Sequence, residues 1–315
     1  MAKVVMLNAE KINYDHQLNM DVLGKDIDIY DNSTPQQIVQ RAEGAKVLIT
    51  KELPMPADLI AALPQSVVAI CEAGTGYNNI DLQAAKKRGI VVCNIPAYSS
   101  QRVAQTAIMM ILCLSSQVQK QVRMLQRGDY SNFTNYLSCS HTEVNQRVLG
   151  VIGAGGIGRE VIKIARAMDM QVLVYTRTPR EDEEGVHYTT LNEVLQKSDY
   201  LTLHCPLNQN TYHMIDQKAL QKMKPTACII NTSRGALIDE KALIAALQNH
   251  TIAGAGLDVQ EQEPPQNDNP LYQMDNVLLT PHMGWKGLQT RQRLIDWLAE
   301  NVQSVLNGNP KNRVI

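Results

Sequence analysis

The chain has 315 residues, of which 44% are hydrophobic and 19% charged, and its formal net charge is -1. This length suggests about two domains, and a near-neutral charge without basic runs argues against a nucleic-acid partner. No apolar run reaches the roughly 18 residues that a membrane span needs. The longest candidate covers residues 106–116, so no association with a membrane is expected.

Six cysteines are spread along the chain, none of them in a CxxC pair and most of them within apolar runs. This usage is typical of reduced core residues rather than of disulfides or metal ligands, and no metal site is predicted. The opening residues, MAKVVMLN, lack the hydrophobic core and cleavage signal of a secretory peptide. The expected compartment is therefore the cytoplasm.

Short apolar runs and helix signals alternate through the first third of the chain. Thr34-Pro35 predicts a helix start, because an N-cap residue is followed by proline at the first helical position. A helix over 80–88 ends at Gly89, a typical C-cap. A crossing between two units is predicted at 94–100, followed by one long apolar helix over 102–127. The predicted strands are Val4–Leu7, Ile27–Tyr30, Val47–Ile49, Val67–Cys71 and Val91–Ile95.

The same alternation continues to the end of the chain, and a second crossing at 284–287 would let the last helix return to the first unit. This pattern indicates an α/β fold of two doubly wound parallel sheets with helices on both faces. The predicted strands are Val148–Ile152, Val172–Tyr175, Tyr200–His204, Ala227–Asn231, Ile252–Asp258 and Val277–Thr280. The predicted helices are Ile157–Met168, Leu191–Lys197, Gln217–Met223, Glu240–Gln248 and Gln289–Leu306.

A glycine-rich run joins a predicted strand to a predicted helix at residues 153–158. Gly153 allows a tight turn, Gly155 lets the backbone approach a pyrophosphate, and Gly158 lets the helix pack on the strand. Gly156 and Ile157 open the helix, whose free N–H groups suit phosphate. The flanking elements favour a dinucleotide site; the alternative is a glycine-rich turn without a ligand.

The tip of the next predicted strand bears on the choice of cofactor. An enzyme that binds NAD usually carries Asp or Glu there for the ribose 2′-hydroxyl, whereas this chain has Thr176 and Arg177 and no carboxylate. Thr and Arg can bond a 2′-phosphate that an acid would repel. We therefore favour NADP(H), with NAD(H) possible; the alternative is that Arg177 and Arg180 are solvated loop charges.

Arg234, Glu263 and His282 each follow a short apolar run in the second half of the chain. A fixed cation, a carboxylate and an imidazole at strand ends, close to a phosphate-binding loop, suit hydride transfer to or from a carbon that bears oxygen. Taken singly, each residue could equally be an ordinary surface or loop residue. Glu261 is an alternative to Glu263.

Together these segments resemble the D-isomer-specific 2-hydroxyacid dehydrogenases over nearly the whole chain. The resemblance implies a flavodoxin-like substrate domain at 1–98 plus 288–315 and an inserted Rossmann domain for the dinucleotide at 99–287. It also implies a homodimer with the long helix after the first crossing at its interface. The matching segments are residues 74–81, 153–158, 204–207, 231–235, 257–259, 261–264 and 280–282.

The resemblance also implies roles for single residues. Arg234 would bind the substrate, His282 would exchange a proton with its oxygen, and Glu263, which directly precedes proline as the family's glutamate does, would orient His282. The backbone N–H groups of Thr75 and Gly76 would bind the substrate carboxylate, which suits small residues. Asp258 would bond the nicotinamide carboxamide, and the cofactor would be lined by Pro206, Thr232 and Ser233.

Three details resemble the D-glycerate dehydrogenase (hydroxypyruvate reductase) branch: residues 76–78, residues 96–99 with 103–105, and Trp285. In that branch Tyr98 or Ser99 could meet a hydroxyl at C3 of the substrate. The expected reaction is therefore reduction of hydroxypyruvate or glyoxylate. The alternatives are D-3-phosphoglycerate or another D-2-hydroxy acid as substrate, or a catalytically silent nucleotide-sensing regulator.

Overall fold

The computed structural model describes residues 3–315, so residues 1 and 2 of the predicted first domain lie outside the described residues. The chain divides into two units, the first running to Ser99 and resuming at Trp285–Ile315, the second covering Ser100–Gly284. Each is an α/β unit built on a parallel sheet, as the sequence predicted.

The first unit contains a five-stranded parallel sheet with helices packed on it. Its strands are β1 (Val4–Met6), β2 (Ile27–Ile29), β3 (Val47–Thr50), β4 (Ala69–Glu72) and β5 (Val91–Cys93), and its helices up to Ser99 are α1 (Glu10–Asn13), α2 (Pro35–Arg41), α3 (Ala57–Ala62) and α4 (Leu82–Lys87). The strand order is β2-β1-β3-β4-β5, the flavodoxin-like order of doubly wound sheets. Strands β1, β3 and β4 are fully buried, which explains their continuous apolar runs.

The helix start predicted at Thr34-Pro35 is confirmed, and it also forms a capping box. The Thr34 hydroxyl accepts a hydrogen bond from the Gln37 N–H at 3.4 Å, and the Gln37 side chain accepts one from the Thr34 N–H at 2.9 Å. Pro35 occupies the first helical turn. Two of the otherwise unpaired donors at the start of the helix are thereby satisfied.

The second unit contains a seven-stranded parallel sheet in the order β12-β11-β10-β9-β6-β7-β8. Its strands are β6 (Val148–Ile152), β7 (Gln171–Tyr175), β8 (Val186–Tyr188), β9 (Tyr200–Leu203), β10 (Cys228–Asn231), β11 (Gly254–Leu257) and β12 (Val277–Leu279). Its helices are α5 (Ser100–Ser115), α6 (Val118–Gln126), α7 (Ser131–Thr134), α8 (Gly156–Ala167), α9 (Leu191–Lys197), α10 (Gln217–Lys222) and α11 (Glu240–Gln248). The chain reverses its direction across the sheet between β6 and β9, and doubly wound sheets bind ligands beyond the carboxyl ends of their strands at such a point.

The prediction of a single helix over 102–127 was wrong. The segment forms α5 and α6, separated at Gln117, whose φ is 47°. A left-handed residue cannot continue a right-handed helix, and the apolar composition of the segment gives no sign of that break. Strand β8 was also missed, because three residues are too few to show an alternating pattern.

The last helix, α12 (Leu288–Leu306), belongs to the first unit and packs near β3 and β4. It buries Leu294, Ile295, Leu298 and Val302, a spacing that places them on one helical face. Arg291, 2% exposed, donates to the Asp15 carboxylate at 2.6 and 2.9 Å and to the Ile12 carbonyl oxygen at 2.7 Å. No helix in the described part of the chain is long and apolar enough to span a membrane.

Candidate active site

Three neighbouring strands of the second unit end level with one another. Asn231 of β10 lies opposite Leu257 of β11, which lies opposite Leu279 of β12. The segments that leave these strands carry Arg234, Glu263 and His282 respectively. Parallel strands lie about 4.8 Å apart, so all three segments start from the same short edge of one sheet.

His282 and Glu263 are in direct contact. The imidazole Nδ1 lies 2.7 Å from Glu263 Oε2, and the side chains are 25% and 37% exposed. The other carboxylate oxygen, Oε1, accepts a hydrogen bond from the Gln260 N–H at 2.9 Å. Because a carboxylate accepts, Nδ1 carries the hydrogen, which leaves Nε2 as the atom that can exchange a proton with a substrate.

Glu261 has a different partner. Its Oε1 lies 2.8 Å from Nε2 of His213, and its backbone N–H donates to the Glu240 side chain at 3.3 Å. The structure therefore places Glu263, and not Glu261, against His282. Sequence reasoning did not identify the pair of His213 and Glu261.

Asp258 organises the loop that carries His282. It is 2% exposed, and its Oδ1 accepts from the Thr280 hydroxyl at 2.5 Å and from the Met283 N–H at 2.8 Å, while Oδ2 accepts from the Gly284 N–H at 2.8 Å. The Asp258 carbonyl oxygen accepts from the His282 N–H at 2.8 Å. These bonds hold His282 in a left-handed conformation, with φ 48°, that a non-glycine residue adopts only at a cost.

The segment that carries Arg234 touches the segment that carries Glu263. A Cβ atom on Gly235 would lie 1.9 Å from the carbonyl carbon of Gln260, so only glycine lets the two backbones approach this closely. The Asn231 amide donates to the Arg234 carbonyl oxygen at 2.8 Å, and the half-buried Arg234 side chain donates to the Ser233 carbonyl oxygen at 2.8 Å. Asn231 and Gly235 belong to the segment 231–235 that carries the family resemblance, but their role in positioning Arg234 was not predicted.

The glycine-rich loop connects β6 to α8. Gly153 has φ 99°, and a Cβ there would lie 2.8 Å from the His204 backbone, while a Cβ on Gly158 would lie 2.1 Å from the Gly153 oxygen. Gly155 is the N-cap of α8 and has open space where a side chain would be. Gly155 and Gly156 are both exposed, so the start of the 12-residue helix is accessible to an anion.

Two buried polar atoms that follow β9 and β10 have no hydrogen-bond partner among the described residues: Nδ1 of His204, which lies against the loop, and Oγ1 of Thr232. Burial lowers the pKa of His204 to about 3, so its ring is neutral at physiological pH, and its Nε2 lies 2.9 Å from the Thr202 hydroxyl. Buried polar groups are rarely left unpaired. An accessible helix start and unpaired buried atoms at the ends of neighbouring strands fit a dinucleotide that supplies phosphate and hydrogen-bonding groups.

Other predicted cofactor residues lie on loops at the carboxyl ends of the same strands. Thr176 follows β7, where its hydroxyl donates to the Thr178 carbonyl oxygen at 2.7 Å, and Arg177 is exposed. Pro206 is exposed after β9, and the Ser233 hydroxyl donates to the Leu203 carbonyl oxygen at 2.8 Å.

The predicted substrate residues outside this sheet belong to the first unit. Thr75 and Gly76 follow β4, and the Thr75 hydroxyl donates to the Ile95 carbonyl oxygen at 3.0 Å. The Asn94 amide donates to the Thr75 carbonyl oxygen at 2.8 Å. The loop backbone is thus tied to the segment after β5. Tyr98 lies in the core, 2% exposed.

The described residues contain no group of His, Cys, Asp and Glu side chains arranged to hold a metal ion.

Comparison with known proteins points in one direction. The sequence profile of the D-isomer specific 2-hydroxyacid dehydrogenase NAD binding domain matches residues 108–284. Glyoxylate reductase of Korarchaeum cryptofilum is 36% identical over 92% of this chain and 89% of its own. Glycerate dehydrogenase of Methylorubrum extorquens is 36% identical over 89% of each chain, and hydroxypyruvate reductase of Blautia hydrogenotrophica is 34% identical over 94% and 93%.

Solved structures agree with the fold and differ in their nucleotides. D-Lactate dehydrogenase from Aquifex aeolicus, complexed with NAD and lactic acid, is 29% identical over 99% of this chain and 98% of its own, with a TM-score of 0.83. An acyclic imino acid reductase (Bsp5), in complex with NADPH and D-Arg, is 27% identical over 99% and 100%, with a TM-score of 0.85.

Proposed function

The chain belongs to the D-isomer specific 2-hydroxyacid dehydrogenase family, and on that premise we propose that it reduces hydroxypyruvate or glyoxylate reversibly to the 2-hydroxy acid. It is an oxidoreductase that acts on CH–OH groups with a nicotinamide cofactor. The observation that carries the proposal is the contact between His282 and Glu263, 2.7 Å long, at a strand edge that also bears Arg234.

Arg234 is the proposed anchor of the substrate. Its guanidinium group is permanently charged and presents several donors in one plane, which suits a carboxylate beside a carbonyl oxygen. The contact between Gly235 and Gln260 fixes the backbone from which it extends. The backbone N–H groups of Thr75 and Gly76 are the proposed donors to the substrate carboxylate, and Tyr98 is the proposed partner of a C3 hydroxyl.

His282 is the proposed proton donor to the carbonyl oxygen during reduction and the acceptor in the reverse direction. Nε2 carries the exchanged proton, because Nδ1 is bonded to Glu263. The negative charge of Glu263 stabilises the charged imidazole and fixes the plane of the ring. The bound nicotinamide supplies or accepts the hydride.

The proposed cofactor site is the edge formed by residues 153–158 with the loops after β7, β9, β10 and β11. The exposed glycines Gly155 and Gly156 would offer their N–H groups to the pyrophosphate. Thr232 Oγ1, which has no partner among the described residues, would gain one. Asp258 is the proposed partner of the carboxamide. Pro206, Ser233, Ile157 and the remaining loop glycines would line the bound nucleotide.

We favour NADP(H) over NAD(H) for this chain. Residues 176–180 contain no carboxylate, and Arg177 is exposed, which suits the 2′-phosphate electrostatically. The test is the ratio of kcat/KM with NADPH to that with NADH, for the wild type and for Arg177→Gln. We expect the ratio to exceed one and to fall in the variant; a wild type that uses NADH equally well would contradict this preference.

The central test is oxidation of NADPH, followed spectrophotometrically with a panel of 2-keto acids. We expect the highest kcat/KM with hydroxypyruvate or glyoxylate. His282→Ala should lower kcat by about 10²–10⁴-fold, the usual contribution of a positioned acid or base, while NADPH binding stays nearly intact. Wild-type protein that oxidises neither NADPH nor NADH with any of the keto acids, or His282→Ala that keeps its turnover, would refute the proposed function.

We further propose that the protein forms a homodimer in the cytoplasm. Helix α6 exposes Val118, Val122 and Leu125 along one side, and the following segment exposes Phe133 at 79% and Tyr136 at 87%. Apolar side chains gathered in one region are typical of an interface. The molar mass in solution, measured for the wild type and for Val122→Glu, tests self-association through this surface; a monomeric wild type would contradict it.

All six cysteines are free thiols, which suits a reducing compartment.

A further inference from the structure

Lys51 is a buried cation outside the group of residues proposed to bind or convert the substrate. It directly follows β3 and is 3% exposed. Lysine is rarely buried to this extent unless its charge is paired. Its ammonium group lies 2.9 Å from Glu52 Oε1 and 4.0 Å from the centroid of the Trp285 ring, so both an anion and an aromatic face stabilise it.

The backbone of Lys51 is held on both sides by one residue. The Lys51 N–H donates to Asn8 Oδ1 at 2.9 Å, and the Asn8 amide donates to the Lys51 carbonyl oxygen at 2.6 Å. Asn8 is itself buried. This pair of bonds fixes the base of a long side chain, and the Trp285 ring and Glu52 fix its end. The charge therefore occupies a defined position.

That position adjoins the loop proposed to bind the substrate carboxylate. A Cβ atom on Gly74 would lie 3.2 Å from Lys51 Nζ, so the ammonium group is packed against the residue that precedes Thr75 and Gly76. An ammonium group has three N–H donors, and Glu52 accepts only one of them in the described structure. A charge with so little solvent around it acts more strongly on a nearby anion than an exposed charge does.

Glu72 is the other ionisable group in this cluster. It is fully buried at the end of β4, and its carboxylate accepts from the Thr50 hydroxyl at 2.8 Å, the Asn79 amide at 2.9 Å and the Glu52 N–H at 2.8 Å. Burial raises the pKa of Glu72, while the charge of Lys51 and the three hydrogen bonds act in the opposite direction. Lys51 therefore faces Glu72 as well as Glu52, and its ammonium group also lies beside the loop at Gly74.

We propose that Lys51 is a further substrate-binding determinant, whose ammonium group adds positive charge to the loop at Gly74–Gly76 and strengthens its hold on the carboxylate of the 2-keto acid. The proposal rests on the proposed function for the identity of the anion. It predicts that the affinity for the acid depends on Lys51, while hydride transfer itself does not.

Lys51→Met tests this directly. We expect KM for hydroxypyruvate or glyoxylate to rise about 10- to 100-fold, the effect of one partly screened charge close to an anion, with kcat within about threefold of the wild type. The Kd for NADPH should not change. Lys87→Met is the matched control, because Lys87 lies on α4 of the same unit and is exposed.

A second arm uses oxamate, an unreactive analogue of a 2-keto acid, titrated by calorimetry onto the protein saturated with NADPH. Its Kd should rise in Lys51→Met by the same factor as KM, and the wild-type Kd should rise more steeply with salt than that of the variant. This arm needs no turnover, so it tests Lys51 even if none of the keto acids proves to be a substrate. A folded Lys51→Met protein with unchanged KM and unchanged oxamate affinity would overturn the proposal.

Glu52→Gln provides a variant that keeps the buried lysine. Removing the carboxylate paired with Lys51 should release more of the positive charge to the loop, and so lower the Kd for oxamate by about two- to tenfold. An unchanged or raised Kd would count against Lys51 as the source of the charge. This outcome decides the matter if Lys51→Met fails to fold.

Discussion

The contact between Glu263 and His282 allows a sharp test by substitution. Glu263→Gln keeps the shape of the side chain and removes its charge, so the bond to Nδ1 no longer stabilises a protonated imidazole. A hydrogen bond to a charged group contributes about 1.5–3 kcal/mol. Because Glu263 is 37% exposed, solvent screening places the effect in the lower half of that range. We therefore expect kcat/KM for keto-acid reduction to fall by roughly 10- to 45-fold.

The assay is kcat/KM for keto-acid reduction at one fixed pH, measured with saturating NADPH. The wild type and Glu263→Gln are compared under identical conditions. Glu261→Gln is the matched control: the same substitution two positions away, on a carboxylate that pairs with His213 instead. If the two variants lose rate equally, or if Glu263→Gln keeps the wild-type kcat/KM, our account of His282 is wrong.

Three further predictions concern stability. Gly235→Ala should lower the free energy of unfolding by about 1–3 kcal/mol, because its Cβ would overlap the Gln260 backbone; urea denaturation with no change would contradict the packing. The hydrogen bond from Arg291 lowers the pKa of Asp15 to about 2. The stability that this pair contributes is therefore complete above about pH 4 and is lost as the pH falls through 2. In Asp15→Asn the free energy of unfolding should depend less on pH in this range, and a pH dependence identical to the wild type would refute the prediction. Leu298 is fully buried in α12, so Leu298→Ala should lower the free energy of unfolding by about 2–5 kcal/mol. A smaller loss, measured by denaturant unfolding, would show that the helix repacks.

The fold could be predicted because its strands and helix starts are indicated by short stretches of neighbouring residues. Buried parallel strands such as β3 and β10 are continuous apolar runs, and α2 begins with a proline after a capping threonine. The break at Gln117 was not predicted, because the pair Ser115-Ser116 before it is only a weak signal against a helix. The short edge strand β8 was missed for the same lack of local signal.

The candidate site shows where sequence reasoning ends. The side-chain types at 234, 263 and 282 suggest the chemistry, but their partners depend on contacts between distant segments. Nothing local indicates that Glu261 meets His213, or that Gly235 lies against Gln260. Lys51 was overlooked because lysine is ordinarily a surface residue, and only its burial and its nearness to Gly74 single it out.

The position of α12 has a consequence for synthesis on the ribosome. The first unit is built from two stretches of chain that the second unit separates in sequence. The face of α12 that carries Leu294 and Leu298 is part of its buried interior, and it is synthesised only after residue 284. Domains generally fold as their chains emerge. Here the continuous unit at 100–284 can finish folding before the first unit, whose synthesis started earlier. Strands β1–β5 remain without α12 until the end of the chain has been synthesised.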